Sequence, residues 1–396
     1  MKTQLNRRHL LAGSAAALAA AGLGTWTGRA AAQAKPLPAL AAWKDANSLI
    51  VHSSSTLETR RSAFGTSVIT PSEQLYLRNN LPAPDASILN DREGWELAIE
   101  GVKSPRKLSV RELKGMGVET VATVLQCSGN GRAFFPGKPS GTPWTVGAAG
   151  CVLWSGVPLK TVAQALGGVA DGMIYITGTG GEKLTDGIDP KSIVVERSVP
   201  IQALADAMLV WEMNGAPLSL AHGGPLRLVV PGYQGVNNIK YIKRLAFTAT
   251  ETDARIMSHG YRISPPGTQA GPSQPSVQEM SVKSWINSPT ADSGSLPAGS
   301  VQIHGVAFGG LNEVQRVEVS VDGGKTWANA RFIGPDLGKF AWRQFVLQAV
   351  LPAGKHTLAS RATDAAGKVQ PEMRVENVSG YNNTSWADHA VQVTVA

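Results

Sequence analysis

The chain is poor in cysteine, with only two in 396 residues, and poor in charge, at 17%. Two thiols exclude a disulfide scaffold and any four-thiolate metal site. No Cys-x-x-Cys-His occurs, so a covalently attached c-type haem is excluded. Aromatic residues make up 6%, against 43 Gly and 24 Pro, a texture of strands and turns and not of a helical bundle. No apolar run reaches the roughly 18–20 residues of a spanning helix, so no stable membrane span is expected. The net charge of +8 is also less than it seems. Residues 1–34 carry Lys2, Arg7, Arg8 and Arg29 with no acid, so half of the excess lies there. The remaining balance gives no argument for nucleic acid.

Hydrophobic residues are 43% of the chain, enough for a large core, and the length suits two domains. At the start, Asn6-Arg7-Arg8-His9-Leu10-Leu11 sets paired arginines before an Ala/Leu/Gly-rich run, and Ala32-Gln33-Ala34 follows as a small-residue cleavage site. This is the layout of a twin-arginine export signal over residues 1–34, which predicts a periplasmic protein exported already folded.

Residues 35–70 read as a polar, irregular N-terminal arm. From 71 to 262, strand-like runs (Val121–Leu125, Met173–Thr177, Leu226–Val230) alternate with helix-like ones (Leu159–Leu166, Ile201–Met208), predicting an α+β domain. The Pro/Gly/Ser-rich residues 263–277 read as a linker. Over 278–396, Val317, Val319 and Val321 alternate with polar residues before the turn Asp322-Gly323-Gly324, and Val391, Val393 and Val395 alternate again. This pattern predicts an all-β sandwich of Ig-like size.

Three segments could carry chemistry. Cys127 closes an apolar run and opens the loop Ser128-Gly129-Asn130-Gly131-Arg132. It reads either as a thiolate held by positive charge or as a buried structural thiol; Cys151, among alanines and aliphatics, reads as the second kind. Arg78, Asn79 and Asn80 stand before Leu81-Pro82. His222 on a Gly-Gly loop, Arg227 entering a strand, and Asn238 with Lys240 beyond it supply donors for an anionic group. Taken alone, each reads equally well as an ordinary loop or strand edge.

Their order is not ordinary. Arg78-Asn79 before Leu-Pro, Leu125-Gln126-Cys127-x-Gly129-Asn130, Pro143-Trp144-x-x-Gly147-Ala148, Trp211-Glu212-Met213-Asn214-Gly215, His222-Gly223 and Asp322-Gly323-Gly324-x-Thr326-Trp327 follow one another along nearly the whole chain. In this order they resemble the sulfite oxidase family of molybdopterin enzymes, bacterial periplasmic sulfite dehydrogenases included. The resemblance implies a molybdopterin-binding domain of the sulfite oxidase fold followed by an Ig-like dimerisation domain, hence a homodimer. It implies oxygen-atom transfer from a molybdenum cofactor to sulfite. Cys127 would be the protein thiolate on molybdenum, and Arg78 and Arg132 the clamp for a small anion. Trp144 and Tyr261 would be pocket aromatics. Arg78, Asn79, Asn80, His222, Arg227, Asn238 and Lys240 would bind the cofactor.

Three departures stand out. Asn80 occupies a position where the family often has histidine. No acid stands in the turn Gly178-Thr179-Gly180, and the pocket arginine of the animal enzymes is absent around Asn383-Thr384-Ser385-Trp386. The pocket implied is less positive than theirs. With no haem in this chain, electrons must leave to an external acceptor, and the resemblance implies a c-type cytochrome, free or as a dedicated subunit. The alternatives are a same-fold reductase of an S- or N-oxide, and a non-catalytic periplasmic binding protein that keeps only the scaffold.

Overall fold

A computed structural model of the chain describes residues 36–396. The expected export signal, residues 1–34, lies outside the described residues. Residues 37–396 form one compact unit. No helix among the described residues is long and apolar enough to cross a membrane.

Strands dominate. One five-stranded sheet runs Ala216–Pro217, Met208–Met213, Ala149–Pro158 and Glu119–Gln126, with Arg227–Val229 pairing on Met208–Met213. A second runs in the order Arg106–Ser109, Glu96–Glu100, Arg244–Thr248, Tyr175–Thr179, Glu196–Pro200. The helix Leu159–Ala165 packs Leu159, Val162 and Ala163 into the core between them. The C-terminal part is a sandwich of a four-stranded and a five-stranded sheet. Its strand Val391–Val395 alternates buried and exposed residues, as a half-buried strand must. Mixed sheets, few helices and a terminal sandwich are the architecture the sequence predicted.

Two local readings need correction. Residues Ile201–Met208, expected as a helix, form one 3-10 turn, Ile201–Ala205, and Met208 opens a strand. Met208-Leu209-Val210 is captured by ladders on both sides, with Pro158-Val157-Gly156 and with Arg227–Val229, and this pairing overrides helical periodicity. Residues 35–70 are not irregular throughout. Leu49–Ser53 and Thr56–Thr59 pair antiparallel, and Thr56–Thr59 also pairs with Leu77–Arg78. Phe64 and Val68 from this stretch enter an apolar cluster with Trp285, Phe308 and Trp342 of the sandwich. One segment therefore packs against both halves.

Candidate functional site

Cys127 follows the strand Glu119–Gln126, whose inner residues Val124 and Leu125 are buried. Its backbone N–H donates to the Ala148 carbonyl at 2.9 Å, and its own carbonyl accepts from the Asn130 N–H at 2.9 Å. The thiol is free and only 8% exposed. The chain leaves the sheet in a tight loop, with Gly131 at φ +94°. Cys151 is fully buried, and burial pushes its thiol up to about 12. It is an inert core residue, as its neighbours in the sequence suggested.

The loop of Cys127 opens on a cleft of about 630 Å³, counted to its open mouth. Arg78, Asn79, Asn80, Cys127, His222, Arg227, Asn238, Lys240 and Tyr261 all line it. The structure thus brings together nearly every residue singled out from the sequence, from segments far apart in the chain. Arg132 and Trp144 stand behind its wall. Trp144 is fully buried in the same apolar cluster as Cys127 and Tyr76, its ring 6.3 Å edge-on from that of Tyr76. The Arg132 side chain donates from Nε to the Ser379 carbonyl at 2.8 Å and from Nη1 to the Thr142 carbonyl at 2.9 Å.

The cleft is crowded with cations. Arg227 donates to the carbonyls of His222 at 3.0 Å and Asn238 at 3.4 Å, tying the two loops together. Lys240 Nζ donates to the Asn79 side chain and to the Ala221 carbonyl. Burial pulls Arg227 down to about 10 and pulls Lys240 well below the usual lysine range, with the Arg227 charge adding to the effect on Lys240. Burial likewise lowers His222 well below its ordinary value, assisted by the charges of Lys44, Lys240 and Arg227, so its imidazole is neutral. Asn238 is occupied internally: its Oδ1 accepts from the Val230 N–H at 2.8 Å and its Nδ2 donates to the Gln234 carbonyl at 3.2 Å. It braces the loop that carries Lys240.

Several lining groups were not apparent from the sequence. Tyr76, Ser128 and Glu182 face the same cleft. Glu182 follows directly on Gly178-Thr179-Gly180-Gly181, just beyond the turn where an acid was missing; a window two residues wider finds it. Burial raises its carboxyl to about 7. Glu58, fully buried, accepts from the N–H groups of Thr145 at 2.8 Å and Gly147 at 3.0 Å and pairs with His52 at 2.7 Å. It holds the loop that carries Trp144, and only an acid so deeply buried in a stretch read as an arm could have signalled it.

Buried polar atoms without partners test what the cleft suits. His222 Nε2, Arg227 Nε, Ser128 Oγ and Glu182 Oε2 are all buried and unpaired within the described residues. Such atoms are costly unless a ligand meets them. Two cations and a neutral imidazole suit a phosphate, amides and a carboxylate suit a hydrogen-bonding heterocycle, and one free thiol in the cleft wall suits a soft metal. The donor set fits an anionic pterin carrying molybdenum.

Comparison with known proteins agrees. Residues 82–256 match the oxidoreductase molybdopterin binding domain, and residues 274–395 match the Mo-co oxidoreductase dimerisation domain. Sulfite oxidase of Gallus gallus is 31% identical over 340 residues, covering 80% of this chain and 72% of that protein. Sulfite oxidase of Arabidopsis thaliana is 29% identical over 357 residues, covering 83% and 89%. Among solved structures, the sulfane dehydrogenase SoxCD of Paracoccus pantotrophus superposes with a TM-score of 0.73 at 27% identity, covering 88% of each chain.

Proposed function

This chain belongs to the sulfite oxidase family of molybdopterin enzymes, and from that premise we propose that it oxidises sulfite to sulfate in the periplasm and passes the electrons to an external c-type cytochrome. The observation that carries the reading is the cation-lined cleft with one free thiol, Cys127, in its wall. The dimerisation-domain match supports a homodimer. The twin-arginine pattern of residues 1–34 supports periplasmic export. The absence of a Cys-x-x-Cys-His sequence supports an external electron acceptor.

Molybdopterin is the cofactor; bound here, it supplies the oxygen atom and accepts two electrons. In this reading the Cys127 thiolate ligates the metal. Lys240 and Arg227 neutralise the pterin's phosphate, and neutral His222 donates or accepts at Nε2 as the tautomer requires. Asn79 holds Lys240 in place, and Asn238 braces the loop beneath it. Arg78, at the strand Leu77–Arg78, lines the cleft and would meet the substrate anion with a planar donor group, while Arg132, behind the wall, would reach it only through Nη2, which its two backbone bonds leave free. Tyr261 donates to Asn80 Oδ1 at 3.0 Å, which fixes its hydroxyl at the cleft. Trp144 and Tyr76 form the dry wall behind Cys127 and exclude water from that side.

Sulfite-dependent ferricyanide reduction by the molybdenum-loaded mature protein tests this directly, because ferricyanide replaces the cognate acceptor. Robust turnover that is lost in Cys127→Ser is the expected result. Loaded protein that ignores sulfite but oxidises a sulfane-bearing compound, the class named for the Paracoccus relative, would replace the substrate. Reduction of S- or N-oxides in its place would reverse the reaction.

A further inference from the structure

We propose that Tyr381, a residue of the C-terminal sandwich, is a positioning residue for the substrate anion: its ring sets Arg132 and Tyr261 at the same time. The inference rests on the anion-clamp role read above for Arg132 and the pocket place read for Tyr261.

Residues 377–383 leave the sandwich and lie along the Cys127 loop. The Asn382 N–H donates to the Ser128 carbonyl at 3.0 Å, and Asn383 Nδ2 donates to the Gly131 carbonyl at 3.0 Å. Asn377 ties the turn. Its Nδ2 donates to the carbonyls of Val375 at 3.1 Å and Tyr381 at 2.9 Å, and its Oδ1 accepts from the Tyr381 N–H at 2.9 Å. The turn so formed presents the Ser379 carbonyl to Arg132 Nε.

Arg132 is confined on several sides. A Cβ at Gly129 would stand 2.5 Å from its Nη2, one at Gly141 2.9 Å from its Nη1, and one at Gly380 2.8 Å from its Cγ. The Tyr381 ring covers the guanidinium, with Cζ 5.3 Å from the ring centroid. Nε and Nη1 are spent on backbone carbonyls, and Nη2 has no protein acceptor among the described residues. An arginine pinned in this way keeps one donor in a fixed direction, which is what preorganised anion binding needs.

The other face of the ring's environment is Tyr261. The two phenol rings stack at 5.1 Å between centroids and 13° between planes. Tyr261 has φ +51°, an uncommon left-handed conformation for a bulky aromatic residue. Surrounding contacts must hold such a residue in place. Three do: the stack, the hydroxyl bond to Asn80 and the carbonyl that accepts from the Val277 N–H at 2.8 Å. The Tyr381 hydroxyl makes no hydrogen bond within the described residues, and burial pushes its phenol well up in pKa, so it is neutral at any working pH. The ring does the positioning.

The test compares Tyr381→Ala and Tyr381→Phe in the molybdenum-loaded mature protein, using inorganic sulfate as a non-reacting anion in calorimetry and sulfite with ferricyanide for turnover. In Tyr381→Ala the sulfate Kd and the sulfite KM should each rise about tenfold, from loss of one aromatic stack and one cation–π contact. The same variant should keep kcat within about threefold, because Cys127, which would hold the metal, is untouched. Tyr381→Phe, which keeps the ring, should restore both constants to within about threefold of wild type. Equal sulfate affinity in Tyr381→Ala and wild type overturns the proposal, and so does a Phe variant as weak as Ala. If the Ala variant loads no cofactor, Tyr381→Leu, which fills space without a ring, is compared with Phe by the same criterion. Wild-type protein that binds sulfate without oxidising sulfite refutes the substrate reading and leaves the affinity comparison to decide this one. Wild-type protein that neither binds sulfate nor oxidises sulfite refutes both; if it oxidises sulfite but binds no sulfate, the KM comparison alone decides, and an unchanged KM in Tyr381→Ala overturns the proposal.

Discussion

Replacing Glu58 by alanine removes the acceptor for two N–H groups, buried Gly147 and half-buried Thr145, in the loop that carries Trp144. Thr145 and Gly147 donate to the same carboxylate oxygen at 2.8 and 3.0 Å. Neither amide has another acceptor in view. Leaving a buried donor unsatisfied costs about 1–3 kcal/mol and a half-buried one less, so the two together cost about 3 kcal/mol. The second carboxylate oxygen pairs with His52 Nε2 at 2.7 Å, and that imidazole would lose its partner too. A loss of this size is a large part of a typical folding free energy of about 5–15 kcal/mol. It would be felt at the site, because the next residue in the loop, Ala148, accepts from the Cys127 N–H. Urea titration followed by tryptophan fluorescence measures the loss, and ferricyanide-coupled turnover measures its effect on the site. Glu58→Gln keeps an amide oxygen for the two N–H groups and should cost about 1 kcal/mol. A Glu58→Ala protein destabilised by less than about 1 kcal/mol would refute the assignment of this carboxylate as the anchor of the loop.

Further expectations follow from the same geometry. Lys240→Met should stabilise cofactor-free protein in urea, since it removes a buried, crowded cation, while lowering the pterin recovered from purified protein; unchanged pterin content would exclude Lys240 from the binding set. Gly129→Ala places a Cβ against the pinned Arg132 guanidinium and should raise the KM for sulfite about tenfold with little change in melting temperature; an unchanged KM would show that Arg132 does not meet the anion. His389 is buried and its pKa is held well below the ordinary value, first by burial and then by the charges of Lys283 and Arg61. As pH falls through the unfolded value of 6.5, the unfolded imidazole gains a proton that the folded one does not. Stability therefore drops, by about 1.4 kcal/mol one unit lower. His389→Gln should flatten that loss in urea titrations at pH 7.5 and 5.5, and equal slopes would contradict it.

Much of the site was legible because its residues sit at fixed offsets on one strand end or one loop. Cys127 with its glycines, His222 with Gly223, and Arg227 with Lys240 each read as local units, and the cleft gathers them. Arg132 and Trp144 were legible as motif positions but not as places, for nothing nearby in the sequence says that Arg132 turns toward the Ser379 carbonyl. Tyr381 and Glu58 could not be found by motif, because each acts on a segment far along the chain. Glu182 was hidden by a shift of register past a glycine turn.

By itself, then, the sequence determined the two-part organisation, with its α+β body and terminal sandwich, together with the one thiol that opens a glycine-rich loop and the basic residues suited to an anion. These follow from periodicity, spacing and residue chemistry, which act over a few residues. Only the tertiary structure decided how Ile201–Met208 divides between a turn and a strand, how the stretch after residue 35 enters both halves, and how the sandwich lays Tyr381 over Arg132. Those outcomes depend on ladder partners, buried charges and ring contacts contributed by distant segments, and the energy of each contact exists only once the chain has brought its two sides together.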